Sequence, residues 1–101
     1  MAELTVIWWR HIPAQVVARS GRTTARVPLT SRFQEAIDMA ATRVGLIGTD
    51  DYLSEWHREL RPCGDDLEAE AAAEAERLEH GYTDAVLETL ARAGGLEEGD
   101  G

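Results

Sequence analysis

Lysine and asparagine are absent from this 101-residue chain, and all ten of its cationic residues are arginine. Arginine suits bidentate contacts to carboxylates and phosphates better than lysine does. A GC-rich coding sequence accounts for the two missing residue types, but not for where the arginines sit. Cysteine is represented by Cys63 alone, which excludes an internal disulfide. No apolar run approaches the roughly 20 residues that span a bilayer, and the N-terminus lacks a basic region followed by a signal-length apolar run. These absences predict a soluble cytoplasmic protein, with no membrane as a partner. Acidic residues are missing from the window Arg10 to Gln34, which holds Arg10, Arg19, Arg22, Arg26 and Arg32.

What is present is globular: 44% hydrophobic and 29% charged residues, in a length that suits one domain with a modest core. Charge is divided unevenly. Residues 1–64 hold eight Arg and seven acids, net +1, and residues 65–101 hold two Arg and twelve acids, net −10. So acidic a second part argues against nucleic acid as a partner, because such binding is driven by phosphate neutralisation.

Leu4 to Trp9 is apolar in both alternation sets, with only Thr5 polar, and predicts a strand covered on both faces or central in its sheet. Arg10-His11-Ile12-Pro13 is expected as the connection. Ser20-Gly21-Arg22-Thr23 suits a two-residue hairpin turn with Gly21 at positive φ. Pairing backwards from it sets Ala18 opposite Ala25, Val16 opposite Val27 and Ala14 opposite Leu29, all on one apolar face. Gln15, Val17, Arg19, Thr24, Arg26 and Pro28 share the other face. A slip of one residue would mix the two sets, so the pattern selects this register. Pro28 cannot donate to a ladder and places its strand at an edge, or ending there.

Helical spacing follows. Ser31 to Gln34 reads as a capping box with Ser31 as N-cap, opening a helix through Phe33, Ile37, Ala40, Ala41 and Val44 that Gly45 ends. Thr49 caps an expected second helix with the stripe Tyr52, Leu53, Trp56 and Leu60, stopped by Pro62 and Gly64. A third opens at Asp65-Asp66-Leu67-Glu68 and runs to about His80. Its thin stripe of Leu67, Ala71, Ala75 and Leu78, with five glutamates elsewhere, predicts weak packing or packing on something else. Thr83 caps a fourth helix with Val86, Leu87, Leu90 and Ala91. The expectation is an α+β domain over residues 1–93, with about three antiparallel strands followed by about four helices. Residues 1–62 form its strand, hairpin and two-helix part, 65–93 its acidic helical part, and 94–101 a flexible acidic tail. The first two helices are expected to cover the apolar hairpin face.

Catalytic chemistry finds little support. His11, His57, His80 and Cys63 include no ligand pair at metal-binding spacing, so no metal and no cofactor are predicted. Cys63 is a lone thiol whose pKa Arg61 could lower, with no base and orienting group beside it. No glycine-rich phosphate loop exists. The expectation is no catalytic residue and no enzyme. Trp8 and Trp9 are more informative. As strand neighbours they point to opposite faces, so one enters the core. The other joins the arginine face or is covered by the later helices. Trp and Arg together typify interface hot spots. The candidate binding residues are therefore Trp8, Trp9, Arg10, Arg19, Arg22 and Arg26. A plain solvated face, neutralised by the acidic third helix, is the bland alternative.

From Thr5 to Ala41, in the runs WWR-x-IPAQV and RFQ-x-AID, the sequence resembles a small bacterial family labelled "virulence factor". The likeness continues through the Trp56 segment, over roughly the first 60 residues. The label names a phenotype and brings no catalytic motif. The resemblance implies a short cytoplasmic protein of proteobacterial type, associated with corrinoid- and folate-dependent methyl transfer. Two readings follow. One is a non-enzymatic binding or accessory protein that engages a protein partner through a Trp/Arg sheet face. The alternative is an accessory subunit in one-carbon methyl transfer, whose arginines hold an anionic small molecule.

Overall fold

In the computed structural model, which describes residues 2–96, the chain is α+β and builds a single four-stranded antiparallel sheet. The strands are β1 (Glu3–Trp9), β2 (Ile12–Ser20), β3 (Thr23–Pro28) and β4 (Trp56–Pro62), in the order β3-β2-β1-β4. The helices are α1 (Ser31–Arg43), α2 (Asp50–Ser54), α3 (Leu67–Gly81) and α4 (Asp84–Arg92).

The β2–β3 register is the one the apolar pattern selects: Ser20 opposite Thr23, Ala18 opposite Ala25 and Val16 opposite Val27. Leu29 N donates to Ala14 O at 3.1 Å, continuing the ladder past Pro28. Gly21 takes φ 59° in the turn, as a two-residue hairpin requires. β3 is an edge strand and ends at Pro28. β1 is central, with Val6 opposite Val16 on one side and Glu59 on the other. Its connection to β2 is shorter than expected. Arg10 (φ 52°) and His11 alone make the turn, and a bulge at Ala14 absorbs the extra residue.

The fourth strand corrects the expected second helix. α2 is only five residues long, with Thr49 capping it through a bond from Tyr52 N, and Trp56–Pro62 is extended. Trp56, Leu60 and Pro62 fall at even spacing, so the stripe that suits a helix also suits one side of a strand. β1 decides between them. With β2 on one side only, its other row of N–H and C=O groups would be buried without partners. β4 supplies those partners, and it follows two helices instead of preceding them.

The helix layer also differs from expectation. α3 lies across the apolar face of both β2 and β3, and of the two helices expected there α1 packs against β2. Its buried stripe includes Leu67, Ala71, Ala75 and Leu78, as the spacing predicts. The stripe is thin because it is rich in alanine, and small side chains on the helix and at Ala18 and Ala25 of the sheet permit a close approach in which contact offsets the lack of bulk. α1 packs on α4, and Phe33, Ile37, Leu87 and Leu90 join one continuous core with Leu4, Val16 and Trp9.

The capping of α1 is another correction. Thr30, not Ser31, is the N-cap, and no side chain of the helix itself caps it. Glu79 of α3 does so from outside: its carboxylate accepts from Thr30 N at 2.6 Å and Thr30 Oγ1 at 2.9 Å. A negative charge at that end is favoured by the helix dipole. Gly45 ends α1 in a Schellman turn, with Leu46 N donating to Ala41 O at 2.9 Å. Gly94 and Gly95 end α4 in the same way, Gly95 N donating to Leu90 O at 2.7 Å. Of the stretch 94–101 expected as a tail, Gly94 and Gly95 are buried, and residues 97–101 lie outside the described residues. A Cβ on Gly95 would meet the Trp9 ring at 2.7 Å, so this turn fits the indole only without a side chain.

Candidate functional site

The two faces of the sheet have different fates. Leu4, Val6, Val16 and Ala18 face α3 and the core. The opposite face carries Glu3, Thr5 and Ile7 of β1, Gln15, Val17 and Arg19 of β2, Thr24 and Arg26 of β3, and Arg58 and Leu60 of β4. A depression of about 190 Å³ on this face is lined by Glu3, Thr5, Ile7, Val17, Arg19, Arg26, Arg58 and Leu60, all strand residues. Val17 is nearly covered despite the absence of a helix over it, and Leu60 is 56% exposed. The face is therefore a partly apolar floor under a basic rim, with Glu3 as the acid among the residues lining the depression.

The arginines divide into two groups. Arg10 is built into the fold: its Nε donates to Glu55 Oε1 at 2.7 Å, its Nη1 to Gly94 O at 2.9 Å, and its guanidinium lies 5.2 Å from the Trp9 ring centroid. Arg32 bonds the Glu79 carboxylate and carbonyl, the Tyr82 carbonyl and Asp84. Arg61 and Arg77 both pair with Glu74. By contrast, Arg19, Arg22, Arg26 and Arg58 make no ion pair among the described residues. Arg26 bonds the neutral Gln15 at 3.2 Å, and Arg22 stands exposed in the hairpin turn. Internal neutralisation by acidic helices thus holds for Arg32 but not for the outer face.

Neither candidate tryptophan reaches that face's depression. Trp9 is fully buried, its Nε1 donating to Tyr52 O at 2.9 Å. Trp8 is half-buried and sits under the later elements, stacked on His57 (centroids 6.4 Å, 3° between planes) and edge-on to Tyr82 at 6.2 Å. Its Nε1 is shielded from solvent with no hydrogen-bond partner among the described residues. Trp8, Trp9 and Arg10 therefore lie away from the depression that Arg19, Arg26 and Arg58 line. Reading Trp56–Pro62 as a helix conceals Arg58. The alternation of Arg58 and Leu60 with Glu59 and Arg61 is the signal that reveals it.

The chemistry of the remaining candidates is weak. Burial pushes the Cys63 thiol up, Glu70 adds to the effect, and the opposing influence of Arg61 is outweighed. A raised thiol is a poorer nucleophile at neutral pH. His57 and Cys63 stand at opposite ends of β4. Among the described residues no group of three His, Cys, Asp or Glu side chains could hold a metal, and no helix is long and apolar enough to cross a membrane.

A family model described as "Virulence factor" matches residues 7–91 of the chain. No curated protein and no solved structure matches it.

Proposed function

The chain belongs to the virulence factor family, a description that names no reaction, and from that premise we propose a non-enzymatic binding or accessory protein that engages the acidic surface of a protein partner. The contact surface is the outer sheet face, with Arg19, Arg26 and Arg58 around Ile7, Val17 and Leu60, and Arg22 at its margin. One observation carries the reading. Among the described residues these four arginines, and Arg43 at the end of α1, lack carboxylate partners, while Arg10, Arg32, Arg61, Arg77 and Arg92 are each paired within the chain; three of the five unpaired arginines share the one depression. Neighbouring like charges on a sheet cost energy unless an opposite charge compensates. At about 190 Å³ the depression is smaller than the roughly 300–1,000 Å³ of typical small-molecule sites, which favours a protein surface as the partner.

The test is affinity purification from the native host, comparing the wild-type chain with a variant in which Arg19, Arg22, Arg26 and Arg58 are all Gln. The variant should fold and lose the captured partner. The difference should shrink at high salt, where screening already removes the electrostatic contribution. Identical capture by both chains would reduce these arginines to a solvated face.

A further inference from the structure

We propose that the free edge of β4 pairs with β4 of a second copy of this chain, in the antiparallel register that sets Leu60 opposite Leu60, so that two four-stranded sheets become one. The inference uses the backbone edge of β4 and its helix-side charges; Leu60 and Arg58 also belong to the face proposed above, but neither proposal rests on the other.

The ladder defines what β4 presents. Cys63 N donates to Ala2 O at 3.2 Å and Arg10 N to Glu55 O at 3.1 Å. Both bonds lie on the β1–β4 pairing and use odd-numbered residues on the β4 side. Antiparallel ladders alternate, so His57, Glu59 and Arg61 bond to β1, and Trp56, Arg58, Leu60 and Pro62 turn their backbone groups to the open edge. Pro62, which has no N–H, stands where that N–H would face outward. Six of the seven residues of β4 are exposed. An unpaired edge of this length is a template for another strand.

The side chains select a copy of the same strand. A two-fold pairing that keeps both helix layers on one side must centre on a single residue. Centred on Arg58 it opposes Arg58 to itself, on Glu59 it opposes two carboxylates, and on Arg61 two guanidiniums. Centred on Leu60 it opposes no like charges. Each Glu59 then faces Arg61 of the other copy, on the helix side of the sheet. Glu59 has no ion pair among the described residues, and Arg61 already reaches Glu74 at 3.2 Å, so Arg61 would sit between two carboxylates. Leu60, 56% exposed in the single chain, covers its mate on the other face. Leu60 exchanges both ladder bonds with its mate, and each Arg58 N–H donates to the opposing Pro62 carbonyl. The other edge lacks this self-complementarity, because Arg26 is the single charged residue of β3.

Sedimentation equilibrium of the wild-type chain should give a concentration-dependent mass between monomer and dimer. Glu59→Arg and Arg61→Glu should each weaken the dimer at least tenfold, and an equimolar mixture of the two variants should recover it, since each then opposes the other's charges. In a Cys63→Ser background, Leu60→Cys should give a disulfide-linked dimer under mild oxidation. Its Cα atoms would lie about 5.5 Å apart, within disulfide reach. Arg58→Cys should not cross-link. Leu60 is exposed, so this arm does not depend on how the charge variants fold. A wild-type chain that stays monomeric at every concentration, or equal cross-linking at both cysteine positions, would overturn the proposal.

Discussion

Glu74 shows at the scale of one residue how a charge enters an apolar stripe. It lies between Ala71 and Ala75 on α3 and is 5% exposed, although its sequence context reads as a solvated acidic face. Arg77 holds its carboxyl below the usual carboxylate range, working against burial and aided by Arg61. Glu79 shifts in the same direction: burial raises it, but hydrogen bonds from Thr30 and Arg32 outweigh that. A carboxyl depressed in the folded state contributes stability above its unfolded pKa, and that contribution is lost as pH falls through the folded value. Stability should therefore decline as pH drops below about 4.3, the unperturbed value for Glu. Glu74→Gln should cost about 1–3 kcal/mol at pH 7, because two arginines lose a charged acceptor. Urea melts at pH 7 and pH 3 should show that deficit shrinking in acid. A deficit independent of pH would mean that Glu74 acts by packing alone.

At the scale of the element, the β2–β3 hairpin assigns opposite roles to the two faces of each strand. Val16 is fully buried beneath α3, and Thr24 is exposed on the arginine face. Val16→Asp should abolish cooperative folding, since a buried unpaired carboxylate costs several kcal/mol. Thr24→Asp should melt within a few degrees of wild type. A normal melt for Val16→Asp would contradict the register. This hairpin is legible in the sequence because Gly21 defines the turn and the alternation counts outward from it. β4 is not legible in the same way. Seven residues carrying Trp56, Leu60 and a terminal Pro62 satisfy a helical and an extended pattern alike, and its partner β1 lies more than forty residues earlier in the chain.

At the scale of the whole molecule, some arginines join elements and others stand on the outer sheet face, and the two kinds should respond differently to the same substitution. Arg32 ties the start of α1 to the end of α3 and the start of α4 through two carbonyls and two carboxylates. Arg32→Gln should lower stability by about 1.5–3 kcal/mol, the range for hydrogen bonds to charged groups. Replacing Arg19, Arg22, Arg26 and Arg58 together should change the melt little, because exposed charges without ion pairs contribute little to folding. Thermal melts of the two variants side by side make the comparison. A larger loss for the fourfold change would make the basic face structural.

The hairpin register, the buried stripe of α3, most of the stripes of α1 and α4 (Val44 and Val86, expected in them, are exposed), the edge position of β3 and the basic character of one sheet face were legible in the sequence, because these depend on local periodicity, turn chemistry and the spacing of like residues. Only the tertiary structure decided which arginines were already spoken for, that Trp8 and Trp9 serve the interior, and that Arg58 completes the outer face. Those outcomes depend on pairings between distant segments: β1 with β4, Glu79 with Thr30, Gly95 with Trp9. Local pattern does not encode such pairings. They follow from the requirement that every buried backbone group and charge find a partner somewhere along the chain.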